Sequence, residues 1–110
     1  MPPLTLETIQ QGPAAVIVLA GELDLAGAGV LEQELAGLES DAVVVDLRGL
    51  VFMDSSGLRA IAVSAQRAQE RGRRFALIPG AAEVMRVFDI TRMRERLDFV
   101  SDPGEVAPGP

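Results

Sequence analysis

The chain has 110 residues, 48% of them apolar, and ten basic against sixteen acidic side chains give a formal charge of −6 at neutral pH. It has no Cys and no His, which removes thiol catalysis, disulfides, cysteine metal sites, Ser-His-Asp triads and most zinc chemistry. The acidic balance opposes a phosphate backbone and neither Trp nor Tyr is present to stack a base, so nucleic acid is not an expected partner.

The size and apolar content suit one domain with a core of its own. Met1-Pro2-Pro3-Leu4 lacks the charged and apolar regions of a leader, and no stretch approaches the length of a membrane span, so a cytoplasmic protein is expected. All ten basic residues are Arg, a bias to which no function is attached.

Leu4 to Gln10 alternates apolar and polar residues as a strand with one wet face does, and Gln11-Gly12-Pro13 supplies a turn. Ala15 to Ala20 is apolar on both faces, as in a strand covered on both sides, and Gly21 reads as its end. Asp24 can cap a helix on which Leu31, Leu35 and Leu38 recur, with Gly27 and Gly29 weakening its first turns. Ala42 to Leu47 is a second buried strand, and the intervening helix makes the pair a parallel crossover.

Asp54-Ser55-Ser56-Gly57-Leu58 then joins that apolar run to an amphipathic helix. Either Asp54 or Ser55 can cap it, and Gly57 eases the turn. The arrangement sets the Ser56 hydroxyl at a helix N-terminus, where unpaired N–H groups and the helix dipole favour an anion. Along this helix Ile61, Ala62, Ala65 and Ala68 form the expected inward stripe, with Arg59, Val63, Gln66, Arg67 and Glu70 opposite. Gly72 stops it, Phe75 to Ile78 forms a strand, and Val84, Val87 and Phe88 mark a third helix. Leu97 to Val100 reads as an edge strand, and Ser101 to Pro110, with three Pro and two Gly, as a tail without structure of its own.

No carboxylate pair stands in environments that would separate two proton affinities. Asp46 at a strand end and Asp54 at a helix start are accounted for by turn and cap. Gly27 and Gly29 lack the third glycine of a dinucleotide fingerprint, and no lysine completes a P-loop, so neither enzymatic activity nor a cofactor is expected. Arg71, Arg73 and Arg74 sit beside a helix end, where they satisfy the dipole or meet an acidic partner.

With Val43-Val44-Val45-Asp46-Leu47 before it and Gly21-Glu22-Leu23-Asp24 upstream, the Asp54–Leu58 motif resembles that of bacterial anti-sigma factor antagonists, small single-domain members of the STAS domain family. The resemblance runs from about Leu4 to Val100. It implies an α/β, STAS-like fold over residues 1–100, with a mixed, mostly parallel sheet of four to five strands, an antiparallel N-terminal strand and three to four helices. Residues 101–110 would be a flexible tail.

The resemblance further implies a partner-switching regulator with no chemistry of its own. In such proteins the unphosphorylated antagonist binds an anti-sigma factor that is also a serine kinase, which frees a sigma factor for transcription. The kinase, using ATP and magnesium, phosphorylates the second serine of the motif, here Ser56, and a metal-dependent serine phosphatase reverses this. Asp24 corresponds to the acidic residue facing that serine, and Asp54, Ser55, Gly57, Arg59 and Val63 complete the expected partner contact. The domain would be a monomer or weak dimer. A constitutive scaffold, in a stress-signalling assembly or as the accessory of a membrane transporter, is the alternative. Arg59 and Thr91-Arg92-Met93 depart from the family's small residue and Thr-Gly-Leu, and the segment after Val100 replaces a helix common in relatives.

Overall fold

Gln11 pairs with Ala14 across Gly12-Pro13, so the alternating N-terminal segment, β1 (Thr5–Gln11), folds back antiparallel on the apolar β2 (Ala14–Leu23). The computed structural model describes residues 2–106. Beyond β2 come α1 (Leu25–Ala36), β3 (Ala42–Met53), α2 (Ser55–Glu70), β4 (Arg74–Ile78) and α3 (Ala82–Ile90). The four strands lie in sequence order, and β2, β3 and β4 are parallel.

Each face of the sheet has its own core. Ala15, Ile17 and Leu19 of β2 join Val43 and Val45 of β3 against Leu31, Leu35, Leu58, Ile61, Val84 and Phe88 from the three helices. Alternation sends Ala14, Val16, Ala42, Val44, Ala76 and Ile78 to the other face, where Val100 and Val106 pack on them. The doubly apolar strands thus report two covered faces, one of them closed by the C-terminal segment and not by a helix.

Several boundaries differ from the sequence reading. Gly21 does not end β2; the ladder with β3 continues to Leu23↔Met53. Gly21 takes φ 89°, and a Cβ there would stand 2.2 Å from the Pro3 carbonyl oxygen, so this glycine lets the N-terminal segment cross closely over the strand. Likewise β3 runs to Met53, past the polar Arg48-Gly49, because irregularities in register absorb the extra residues. Helix α1 stops at Ala36, capped by Gly37, although Leu38 still packs on the core.

Leu97 to Val100 is no regular strand: one parallel bridge, Leu77↔Phe99, holds it beside β4. Ser101 to Val106 is also structured, whereas residues 107–110 lie outside the described part. Glu105 Oε2 accepts from the Ser101 hydroxyl and from the N–H groups of Ser101 and Asp102, all at 2.7 Å, and Val106 is buried on the sheet. Counting Pro and Gly missed this turn because its order comes from a capping box and one apolar anchor.

Asp46 is buried inside β3, not at its end, and its carboxylate takes the Arg48 guanidinium at 2.8 Å and the Arg48 N–H at 3.0 Å. Burial pulls this carboxyl upward, but the hydrogen bonds and charge of Arg48 outweigh it and hold it below its ordinary value. A depressed folded value contributes stability that is present above the unfolded value and lost as pH falls through the folded one. Asp46→Asn is therefore expected to cost about 1–2 kcal/mol near neutral pH, with the gap to wild type closing below pH of about 4 in urea titrations.

At the end of α3, Arg92 holds φ 60°, ψ 16°, the left-handed conformation that favours glycine, at the position where the family resemblance anticipates Gly. Arg92→Gly is expected to raise the unfolding free energy by about 0.5–1 kcal/mol, read from the urea midpoint.

Candidate functional site

Asp24 and Asp54 follow Leu23 and Met53, the last paired residues of β2 and β3. The parallel register therefore sets two helix N-termini side by side, and the Asp54 N–H donates to the Leu23 carbonyl at 3.3 Å. Each aspartate caps its own helix. Asp24 Oδ1 accepts the Gly27 N–H at 3.2 Å, and Asp54 Oδ1 accepts those of Ser56 and Gly57 at 2.9 and 3.1 Å. Of the two caps the sequence leaves open for α2, Asp54 is the one used, and Ser55 begins the helix in the open.

Ser56 is half-buried in the first turn of α2. Gly57, immediately after it, is buried where a Cβ would meet the Leu23 side chain at 2.7 Å and the Leu23 oxygen at 2.8 Å. That close approach fixes the height of the Ser56 turn against β2. A phosphate on Ser56 would meet the positive end of α2 but also the Asp54 carboxylate, which already occupies the nearest N–H groups.

Residues 56, 59 and 63 fall on one face of α2 by their spacing. Arg59 is exposed, and Val63 is half-buried beside a shallow groove shared with Gln66 and Glu70. The inward stripe of α2 is rotated from the expected one: Leu58, Ile61, Ser64 and Ala68 are buried, while Ala62 and Ala65 are half-buried. A single serine among alanines carries little hydrophobic signal, and this displaced the reading.

Large apolar side chains at the same end of the sheet went unnoticed in the sequence. Leu25, directly after Asp24, is 76% exposed, and Val51 and Phe52, just before the motif, are 54% and 42% exposed. Two successive exposed apolar residues in a strand depart from strict alternation, and that departure was the available signal. Among the described residues no group of three or more acidic side chains is placed to hold a metal ion, and no helix is long and apolar enough to cross a membrane.

The mixed sheet with its three helices has counterparts among solved structures. An anti-sigma factor antagonist from Mycobacterium paratuberculosis superposes with a TM-score of 0.84 at 20% identity, over 94% of this chain and 90% of that one. The antagonist SpoIIAA in its unphosphorylated form gives a TM-score of 0.73 at 20% identity, over 94% and 91% of the two chains. The phosphorylated SpoIIAA of Bacillus gives 0.69 at 20% identity, over 94% and 95%. These likenesses define the fold as a small α/β domain with a mixed sheet and three helices. The model of the family described as "Mlab, STAS domain" matches residues 7–100, and the chain belongs to the STAS domain family.

Proposed function

We propose that this STAS domain is an anti-sigma factor antagonist, which binds an anti-sigma factor with serine kinase activity when Ser56 is unmodified and releases it when Ser56 carries phosphate. The observation that carries the reading is the half-buried Ser56 in the first turn of α2, set by Gly57 beside two capping aspartates and near exposed Leu25, Val51 and Phe52. The apolar residues supply contact area at this end of the sheet, while the serine decides whether a partner can settle there. Asp24 presents Ser56 to the kinase, Arg59 and Val63 extend the contact along α2, and a serine phosphatase resets the switch. The action takes place in the cytoplasm, where the sigma factor works.

Affinity capture from the protein's own cells with Ser56→Ala and Ser56→Asp baits tests this. Recovery of an anti-sigma factor kinase by the alanine bait and its loss with the aspartate bait are expected. Equal recovery of one partner by both baits would favour the constitutive scaffold.

A further inference from the structure

The two edges of the sheet are finished differently. The outer edge of β4 is covered by the chain itself, since the Leu77 N–H donates to the Asp98 carbonyl and the Leu77 carbonyl accepts the Val100 N–H, both at 2.9 Å. At the other edge β1 pairs only with β2 among the described residues, so its outer peptide groups have no strand partner. Proteins commonly blunt such an edge with Pro, a bulge or Lys. Thr5–Gln11 contains no Pro and no basic residue, and its register with β2 is unbroken over the 7 residues.

Two carboxylates flank this edge, one on each face of the sheet. Glu7 is exposed and stands opposite Val18, on the face of the second core. Glu34 reaches the edge from α1 on the other face, where it accepts the Thr8 hydroxyl at 2.9 Å. Neither is ion-paired among the described residues. Apolar side chains lie just outside them, with Leu6 half-buried on the α1 face and Ile9 44% exposed on the other. The Ser40 hydroxyl donates to Gln10 at 3.3 Å, so side chains along the edge are held in place before anything docks.

We propose that the free edge of β1 takes up an extended segment of a basic partner protein as a fifth strand, recognised through two adjacent basic side chains flanked by apolar ones. In an added strand successive side chains point to opposite faces, so two consecutive basic residues reach Glu7 and Glu34. The residues before and after them fall opposite Leu6 and Ile9. This apolar-basic-basic-apolar order reads the same in both directions, so it suits a parallel or an antiparallel guest. A second copy of this chain is disfavoured, because it would set Glu7 and Glu34 against like charges and one net charge of −6 against another. The surface is independent of the partner-switching reading.

The probe is the peptide acetyl-Thr-Val-Arg-Arg-Val-Thr-amide, titrated into the whole chain at constant ionic strength and followed through backbone amide resonances. Saturable shifts centred on Thr5–Gln11 are expected, with a Kd on the order of 100 μM. Glu7→Gln and Glu34→Gln should each weaken binding roughly threefold, whereas Glu83→Gln, exposed on α3, should leave it unchanged. Of two peptides N-methylated at complementary sets of alternate residues, one should lose binding and the other keep it, because only alternate N–H groups face the edge. The proposal is overturned if no saturable shift appears in β1, if a peptide with Glu-Glu in place of Arg-Arg binds as well, or if both methylated peptides bind like the parent. Shifts in β1 that saturate with protein concentration alone would make a second copy the occupant and overturn it too.

Discussion

Gly57→Ala is expected to lower the unfolding free energy by about 1–3 kcal/mol and to disturb the Ser56 turn. The added methyl would stand 2.7 Å from Leu23 Cγ, 2.8 Å from the Leu23 oxygen and 2.8 Å from Met53 Cγ. Neither neighbour has room to retreat, since Leu23 is fully buried and Met53 is 3% exposed. The Leu23 oxygen is also tied to the Asp54 N–H, so moving it would disturb the residue that caps α2. Helix propensity alone predicts the opposite sign, a gain of roughly 1 kcal/mol for alanine over glycine. The direction of the change in urea denaturation therefore decides between close packing and propensity, and a gain would contradict the geometry described for the site.

If the proposed switch operates, phosphorylation of Ser56 weakens binding to the proposed anti-sigma partner on the order of a hundredfold while moving the melting temperature by no more than about 2 °C. In the free protein two effects oppose each other: the positive end of α2 attracts the phosphate and the Asp54 carboxylate repels it. In the complex the balance is lost. The phosphate would have to shed water under a partner, or face a group chosen for a neutral hydroxyl, and an uncompensated charge at an interface costs several kcal/mol. Ser56→Ala should keep both stability and affinity. Calorimetric titration and thermal unfolding of the modified and unmodified protein check the two halves separately, and a large loss of stability with intact binding would overturn the reading.

Much of the architecture was legible because its signals are local. Alternation in β1, the doubly apolar runs of β2 and β3, and Gly72 after α2 each carry their meaning within a few residues. The Asp caps were legible for the same reason. Features that depend on distant partners were not. Gly21 reads as a strand end until Pro3 is seen lying over it, and Ser101 to Val106 reads as a tail until Val106 is seen on the second core. Asp46 reads as a turn residue until Arg48 folds back on it. At the candidate site, Ser56, Asp24 and Asp54 are singled out by motif, but the neighbouring placement of the two aspartates comes from the β2–β3 register. The exposed Leu25, Val51 and Phe52 were missed because an apolar residue carries no mark in sequence to say which way it faces.

Site-resolved mass spectrometry of the protein isolated from its own cells, with and without stress, tests the central claim most directly. Phosphate at Ser56 whose occupancy changes with stress is the predicted result. Ser56 unmodified in every condition would contradict the switch and leave a STAS domain acting as a constitutive scaffold.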